Sequence, residues 1–208
     1  MSSHGKPYAS SCDENREPIL AVIRPLFASA RHLLEIGSGT GQHAVFFAAA
    51  MPHLTWQTSD VAEHLPGIRA WLEETALPNL PPPLTLDVNG VWPAGPFDAI
   101  FSANTAHIMS AAEVAVLFRG VGAVLAPGGY FALYGPFNEG GHYTSDSNRR
   151  FDAALKARDP RMGLRDLDDL RTFAARHDLA LIDNHAMPVN NRTLVWQRNA
   201  AGVSPAGV

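Results

Sequence analysis

The stretch His32-Leu33-Leu34-Glu35-Ile36-Gly37-Ser38-Gly39-Thr40-Gly41 decides the fold. A short apolar run at 32–36 breaks into three glycines at alternate positions, and a helical stretch follows from His43 to Met51. This is the pattern of a strand, a glycine turn and a helix. Glycines at 37, 39 and 41 let the backbone turn tightly and let a ligand approach it without meeting a Cβ. The helix that starts there offers amide groups with no partner inside the helix.

Downstream the same unit repeats. Leu54–Ser59 reads as a strand ending at Asp60, and Val61–Ala76 as a helix with Leu65, Ile68, Trp71 and Leu72 on one face. After the proline-rich connection 78–83, the third strand spans Leu84–Val88 and the fourth Phe97–Ala103. Ser110 with Glu113 three residues on is a capping box that opens a helix to about Leu125. Pro127-Gly128-Gly129 then turns the chain into a fifth strand, Tyr130–Tyr134. Upstream, Asp13–Ala30 carries apolar residues at helical spacing, with Pro25 placed to kink it late.

Beyond the fifth strand, 135–147 reads as a loop rich in Gly, Asn, Ser and aromatics, of a length that is usually functional or disordered. Two helices, Asn148–Arg158 and Asp166–His177, lead to two last strands, Leu179–His185 and Arg192–Arg198, whose short connection makes them antiparallel. Repeated strand–helix units require a parallel sheet with right-handed crossovers, and ligands bind such sheets beyond the carboxyl ends of the strands. The expectation is one α/β domain over 1–208, with 1–12 and 199–208 flexible.

Composition narrows the function. The chain has 208 residues, 46% hydrophobic and 17% charged, so it can bury a full core. Lys and Arg number 16 against 20 Asp and Glu, a net charge of -4, which argues against a partner made of phosphate backbone. The single cysteine, Cys12, closes no intramolecular disulfide. Residues 1–11 lack the apolar stretch of a signal peptide, and no run of 18 apolar residues occurs, so a cytoplasmic protein with no membrane contact is expected. None of the nine histidines stands at metal-ligand spacing, and no metal is expected.

A dinucleotide turn of the G-x-G-x-x-G kind wants a third glycine where this chain has Gln42. The spacing from Glu35 to Gly41 instead resembles the first motif of class I S-adenosylmethionine-dependent methyltransferases. That resemblance implies a Rossmann-like sheet of seven strands, the last antiparallel, with helices on both faces. It implies S-adenosylmethionine as cofactor, with S-adenosylhomocysteine as product, held by Glu35, Gly37, Ser38, Gly39 and Gly41. Asp60, 23 residues after Gly37, would accept from the ribose hydroxyls, and Asp87 with Val88 would contact adenine.

The segments Asn15–Leu20, Tyr134–Asn138, Ser145–Asn148, Phe151-Asp152, Gly163–Asp166 and Met187–Asn191 are similar to those of an uncharacterised methyltransferase-like family with a human relative, methyltransferase-like protein 26. The similarity runs from about residue 7 to 198 and does not name the substrate.

Methyl transfer from a sulfonium mainly requires alignment and exclusion of water, and a base only when the acceptor is protonated at working pH. Candidates for the acceptor side follow the fourth and fifth strands. Asn104 would hold the methionine portion or the acceptor, or else cap a helix. His107 would act as a base, or else pack. Tyr134 and His142 complete the set, with Asn138, Tyr143, Ser145, Asn148 and Arg149 on a loop able to close over the site. Arg16 could meet the cofactor carboxylate or an anionic substrate, or start a solvated helix. Asn190-Asn191 reads as a turn. The expected function is methyl transfer to a small molecule. The alternatives are a nicotinamide-dependent oxidoreductase and a cofactor-binding module without turnover.

Overall fold

A computed structural model describes residues 6–200. Helix α1 spans Ser10–Leu26, strand β1 His32–Ile36, α2 Gln42–Ala50, β2 Thr55–Asp60, α3 Leu65–Thr75 and β3 Leu84–Thr85. Then come β4 Phe97–Ala103, α4 Ala111–Val124, β5 Leu125–Gly135, β6 Phe137–Asn138, α5 Asp146–Arg158 and β7 Arg165–Asp166. The chain closes with α6 Leu167–Ala175, β8 Leu179–Met187 and β9 Asn191–Arg198.

Seven strands form one sheet in the order β3-β2-β1-β4-β5-β9-β8. The pairs from β3 to β5 are parallel, and β9 runs antiparallel to both β5 and β8. The Rossmann-like sheet with its antiparallel last strand is therefore as expected. Strand order reverses between β1 and β4, which fixes the crevice at their carboxyl ends as the place for a ligand.

Alternation along the central strands gives each face its own core. Leu34, Ile36, Ile100, Phe131 and Leu133 pack on one side with α4 and α6, while Leu33, Phe101, Ala132 and Tyr134 pack on the other with α1 and α2. On the first side Phe118 of α4 is fully buried and its ring meets Phe131, Phe173 and Trp196.

Three expectations are corrected. Strand β3 is two residues long, because the chain leaves the sheet edge before Asp87 and Val88. Strand β5 begins at Leu125, before the Pro-Gly-Gly turn; residues 126–129 bulge opposite Asp98 and pairing resumes at Ala99 and Tyr130. The stretch after β5 is built, since β6 pairs with β7 and Glu139 bridges His142 through both backbones. Residues 6–12, expected to be flexible, make contacts with the rest of the fold. Lys6 pairs with Glu74 at 2.6 Å over the Trp71 ring, Trp71 donates to the Pro7 carbonyl, and the Ala9 amide donates to the Gln42 side chain. Residues 1–5 and 201–208, also expected to be flexible, lie outside the described residues.

Phe118→Ala removes the ring that joins α4 to two strands and α6. It should destabilise the protein by about 3–5 kcal/mol in urea unfolding, whereas a loss below about 1 kcal/mol would show the core to be plastic there.

Candidate functional site

The glycine turn is held from two strands. The amides of Gly37 and Ser38 both donate to the Ser59 carbonyl at the end of β2. Asp60, the next residue, accepts from the Gly39 amide at 2.7 Å on Oδ2, and from the Val61 amide and His64 Nδ1 at 2.7 and 2.8 Å on Oδ1. Three of its four lone-pair directions are thus spoken for, leaving room on Oδ2 for one further donor. Gly37 (φ +71) has Thr105 against it, where a Cβ would come within 2.3 Å of Thr105 Cγ2. Gly39 (φ +57) has nothing within 4 Å of its Cβ position, so the space above it is open.

That space is a cavity of about 480 Å³ lined by Gly37, Ser38, Gly39, Thr40, Asp60, Asp87 and Val88. Apolar walls come from Ile36, Leu86, Ala103, Ile108 and Met109, with Glu63, His64 and Glu113 adding polar groups. The volume lies in the range of small-molecule and cofactor sites.

A second cavity, of about 500 Å³, lies alongside, and Ser11 and Asn104 line both. Its walls include His107, Tyr134, Asn148, Phe151, Val189 and Asn191. Asn104 stands at the end of β4 with φ +58, a left-handed conformation that asparagine tolerates better than most residues. Its amide donates to the Tyr134 carbonyl at 2.9 Å, so the strand ends on β5 before turning. Val189 (φ 57) and Asn190 (φ 58) form the turn between β8 and β9, and for a β-branched residue this is a strained backbone.

His107 is 8% exposed and stacks edge-on against Phe151 with ring centroids 5.2 Å apart. Burial pushes its pKa down to about 4, with the Arg165 guanidinium adding to the effect, so the ring is neutral at physiological pH. Among the described residues its ring nitrogens have no hydrogen-bond partner. Tyr134 accepts from Asn191 Nδ2 at 2.9 Å, and burial raises its pKa.

The sequence candidates divide accordingly. Gly37, Ser38, Gly39, Asp60, Asp87, Val88 and Asn104 meet at the first cavity, and Asn104, His107, Tyr134 and Asn148 at the second. Eight do not reach either, Asn138, Tyr143, Ser145 and Arg149 of the stretch after β5 among them. Gly41 caps α2 and packs against Ile68 of α3. Arg16 pairs with Asp13 at 2.6 Å over the Phe46 ring. His142 is exposed on the bridge with Glu139. Glu35 lies beneath the turn, 2% exposed, accepting from Ser38 Oγ at 2.8 Å and Trp56 Nε1 at 2.9 Å. It shapes the site through Ser38.

Other lining groups were not legible in the sequence. His43 is buried with Nε2 2.6 Å from Asn15 Oδ1, and Ala9, Ser11 and Cys12 arrive from the start of α1. Nothing in a helical stretch marks which of its turns will face a cavity. Asn191 turned out to line the cavity as well as to end the turn.

The profile of a family described as "Protein of unknown function (DUF938)" matches residues 6–198. The chain belongs to the DUF938 family. Among solved structures, it is similar to an O-methyltransferase family protein from Burkholderia thailandensis, with 16% identity, TM-score 0.79, and coverage of 89% of this chain and 56% of that one. An O-methyltransferase family 2 protein from Planctomyces limnophilus in complex with apigenin gives 20% identity, TM-score 0.71, and coverage of 80% and 50%. PigF with SAH gives 15%, 0.76, 88% and 56%. At these identities the likeness is one of fold, and the chain spans about half the length of these structures. No described helix is long and apolar enough to cross a membrane.

Burial raises the pKa of Glu35 from 4.5 to about 7, against the lowering effect of the Trp56 and Ser38 hydrogen bonds. A raised value in the fold means that the stability linked to this carboxyl is full below pH 4.5 and is lost as pH rises through 7. The loss is about 3 kcal/mol. Glu35→Gln removes the titration. The stability of the variant relative to the parent should therefore rise between pH 5 and 7.5 in urea unfolding, and a difference independent of pH would refute this account.

Proposed function

We propose that the protein transfers a methyl group from S-adenosylmethionine to a small-molecule acceptor. The observation that carries this is the pair of cavities meeting at Asn104, one floored by the glycine turn and the other lined by polar groups around a neutral imidazole. The fold shared with proteins described as O-methyltransferases supports it, as does the resemblance of the motif segments to relatives of methyltransferase-like protein 26. A reducing, cytoplasmic compartment suits the one thiol, Cys12.

The residues of the first cavity fit such a cofactor. The open space over Gly39 admits close approach to the turn, Leu86 and Val88 on either side of Asp87 suit an adenine, and Asp60 Oδ2 retains an acceptor position for one ribose hydroxyl. Glu63 lines the same wall and could take the other. When bound, the cofactor supplies a methyl group on a positively charged sulfur, already activated for displacement. Asn104, shared by both cavities, is placed to orient what lies on either side of it. His107 is neutral and can accept a proton at a ring nitrogen. Phe151, Pro188 and Val189 give the second cavity apolar walls.

The nicotinamide alternative loses ground at Gln42. In place of a packing glycine, its Oε1 accepts from the Ala9 amide at 2.6 Å and from Thr40 Oγ1 at 3.0 Å, holding the N-terminal segment against the turn.

Calorimetric titration should show binding of S-adenosylhomocysteine and none of NAD. Asp60→Ala should weaken that binding by about 1.5–3 kcal/mol, the scale of a lost hydrogen bond to a charged group. A folded parent protein that ignores millimolar S-adenosylhomocysteine would sink the proposal, and an unchanged Kd in the variant would remove Asp60 from the cofactor's contacts.

A further inference from the structure

The second cavity carries a chemical bias that identifies what it takes. Its one charged side chain is the carboxylate of Glu14, and no Lys or Arg lines it. Arg165, whose charge is felt at His107, does not reach the lining, and Arg16 is held by Asp13. An anion placed there would lose its hydration and find no counter-charge, the most costly form of burial.

The hydrogen-bond account points the same way. Asn148 is 4% exposed, yet both hydrogens of its amide nitrogen are used inside the protein, on Thr144 Oγ1 at 2.9 Å and on the Asn190 carbonyl at 3.1 Å. Its Oδ1 has no partner among the described residues. Asn191 repeats the arrangement, with Nδ2 donating to Tyr134 and to the Pro188 carbonyl and Oδ1 left over. Asn104 and His107 add side-chain acceptors with no partner among the described residues. The donors that remain, on Ser11, Asn15, Asn104, Ser147, Tyr134 and His107, are neutral. Two groups more than nine-tenths buried, Asn148 and His107, thus present unpaired polar atoms to one cavity.

Resting on the methyl-transfer reading, we propose that the second cavity binds an uncharged or positively charged acceptor that bears N–H or O–H donors, an amine or an alcohol with an apolar body, and rejects carboxylate- and phosphate-bearing molecules. The unspent amide oxygens of Asn148 and Asn191 receive the donors, Glu14 favours a cation at the mouth, and Phe151 with Pro136 covers the apolar body.

Three probes with the same phenyl body test it: 2-phenylethylamine, 2-phenylethanol and 3-phenylpropanoate, each titrated into the full chain while the His107 ring protons are followed by NMR. His107→Gln assigns those signals. The amine and the alcohol should bind at least about tenfold more tightly than the acid. Glu14→Gln, an exposed change, should weaken the amine several-fold and leave the alcohol unchanged. Equal or tighter binding of the acid overturns the proposal, and so does the absence of a response to all three at tens of millimolar. Titration with S-adenosylhomocysteine separates the two levels: if it binds and the donor probes do not, only this inference fails, and if it does not bind, the methyl-transfer reading fails whatever the probes do.

Discussion

The carboxylate of Asp60 is the constraint on which the site depends. A turn with three glycines at positive φ has little intrinsic preference for one conformation, and its amides must be satisfied from outside. Asp60 takes the Gly39 amide, and the carbonyl before it takes those of Gly37 and Ser38, so the turn after β1 is fastened to the end of β2. The fastening needs the two strands in register, with Ile36 opposite Ser59. From below, Glu35 holds Ser38 and Trp56, which locks the same turn to the core. A ligand arriving over Gly39 therefore meets a backbone already in place, which lowers the ordering cost of binding.

The second cavity is organised differently. It collects the ends of β4 and β5, the start of α1, the N-terminal turn of α5 and the turn between β8 and β9. The strand ends are joined by sheet pairing, and side-chain amides tie α5 and the β8–β9 turn to them: Asn148 reaches the Asn190 carbonyl, Asn190 Nδ2 reaches Ser147, and Asn191 reaches Tyr134. Left-handed backbone at Asn104, Val189 and Asn190 surrounds the same space. Such strain persists only where the surroundings over-determine it, and it concentrates at sites of binding. Asp152 performs the equivalent service behind α5, accepting from Tyr143, Lys156 and the Leu164 amide and so folding the stretch after β5 into a wall.

How much of this the sequence showed follows from where the signals lie. The turn from Gly37 to Gly41, the alternation of strands and helices, and the acidic residue closing β2 are local patterns, and the sheet and the first cavity grew out of them. The Ser110–Glu113 capping box was legible for the same reason and is present with both bonds. Strand β3 was overextended because Leu86 and Val88 are buried, and burial alone does not distinguish a strand from a chain lying on a sheet edge. The family resemblance points Glu35 and Arg16 toward the cofactor, with a helix start as the other reading of Arg16; in the fold Glu35 accepts from Trp56 and Ser38, and Arg16 pairs with Asp13. Asn104 and Asn148 were legible as candidates, but the bonding that makes the asparagines a framework was not, because the bond from Asn148 to Asn190 spans 42 residues and leaves no periodic trace.

Under the methyl-transfer reading we propose, the chemistry of the second cavity turns on the neutrality of His107. A ring whose pKa is held near 4 is a weak base, and it cannot remove a proton from an alcohol or an ammonium in advance. From an alcohol or a neutral amine it can accept one only as the nucleophile's own bond to the methyl carbon forms, when that proton has become acidic; an ammonium must first release a proton to solvent to free its lone pair. Rate must then come from alignment of the acceptor between Asn104 and the amide oxygens of Asn148 and Asn191, a contribution able to supply about 7–11 kcal/mol. The same burial that weakens the base removes water and strengthens each hydrogen bond to the acceptor. Low basicity and tight positioning are thus two consequences of one arrangement, Phe151 closing over His107 at the end of a sheet whose turn is already fixed.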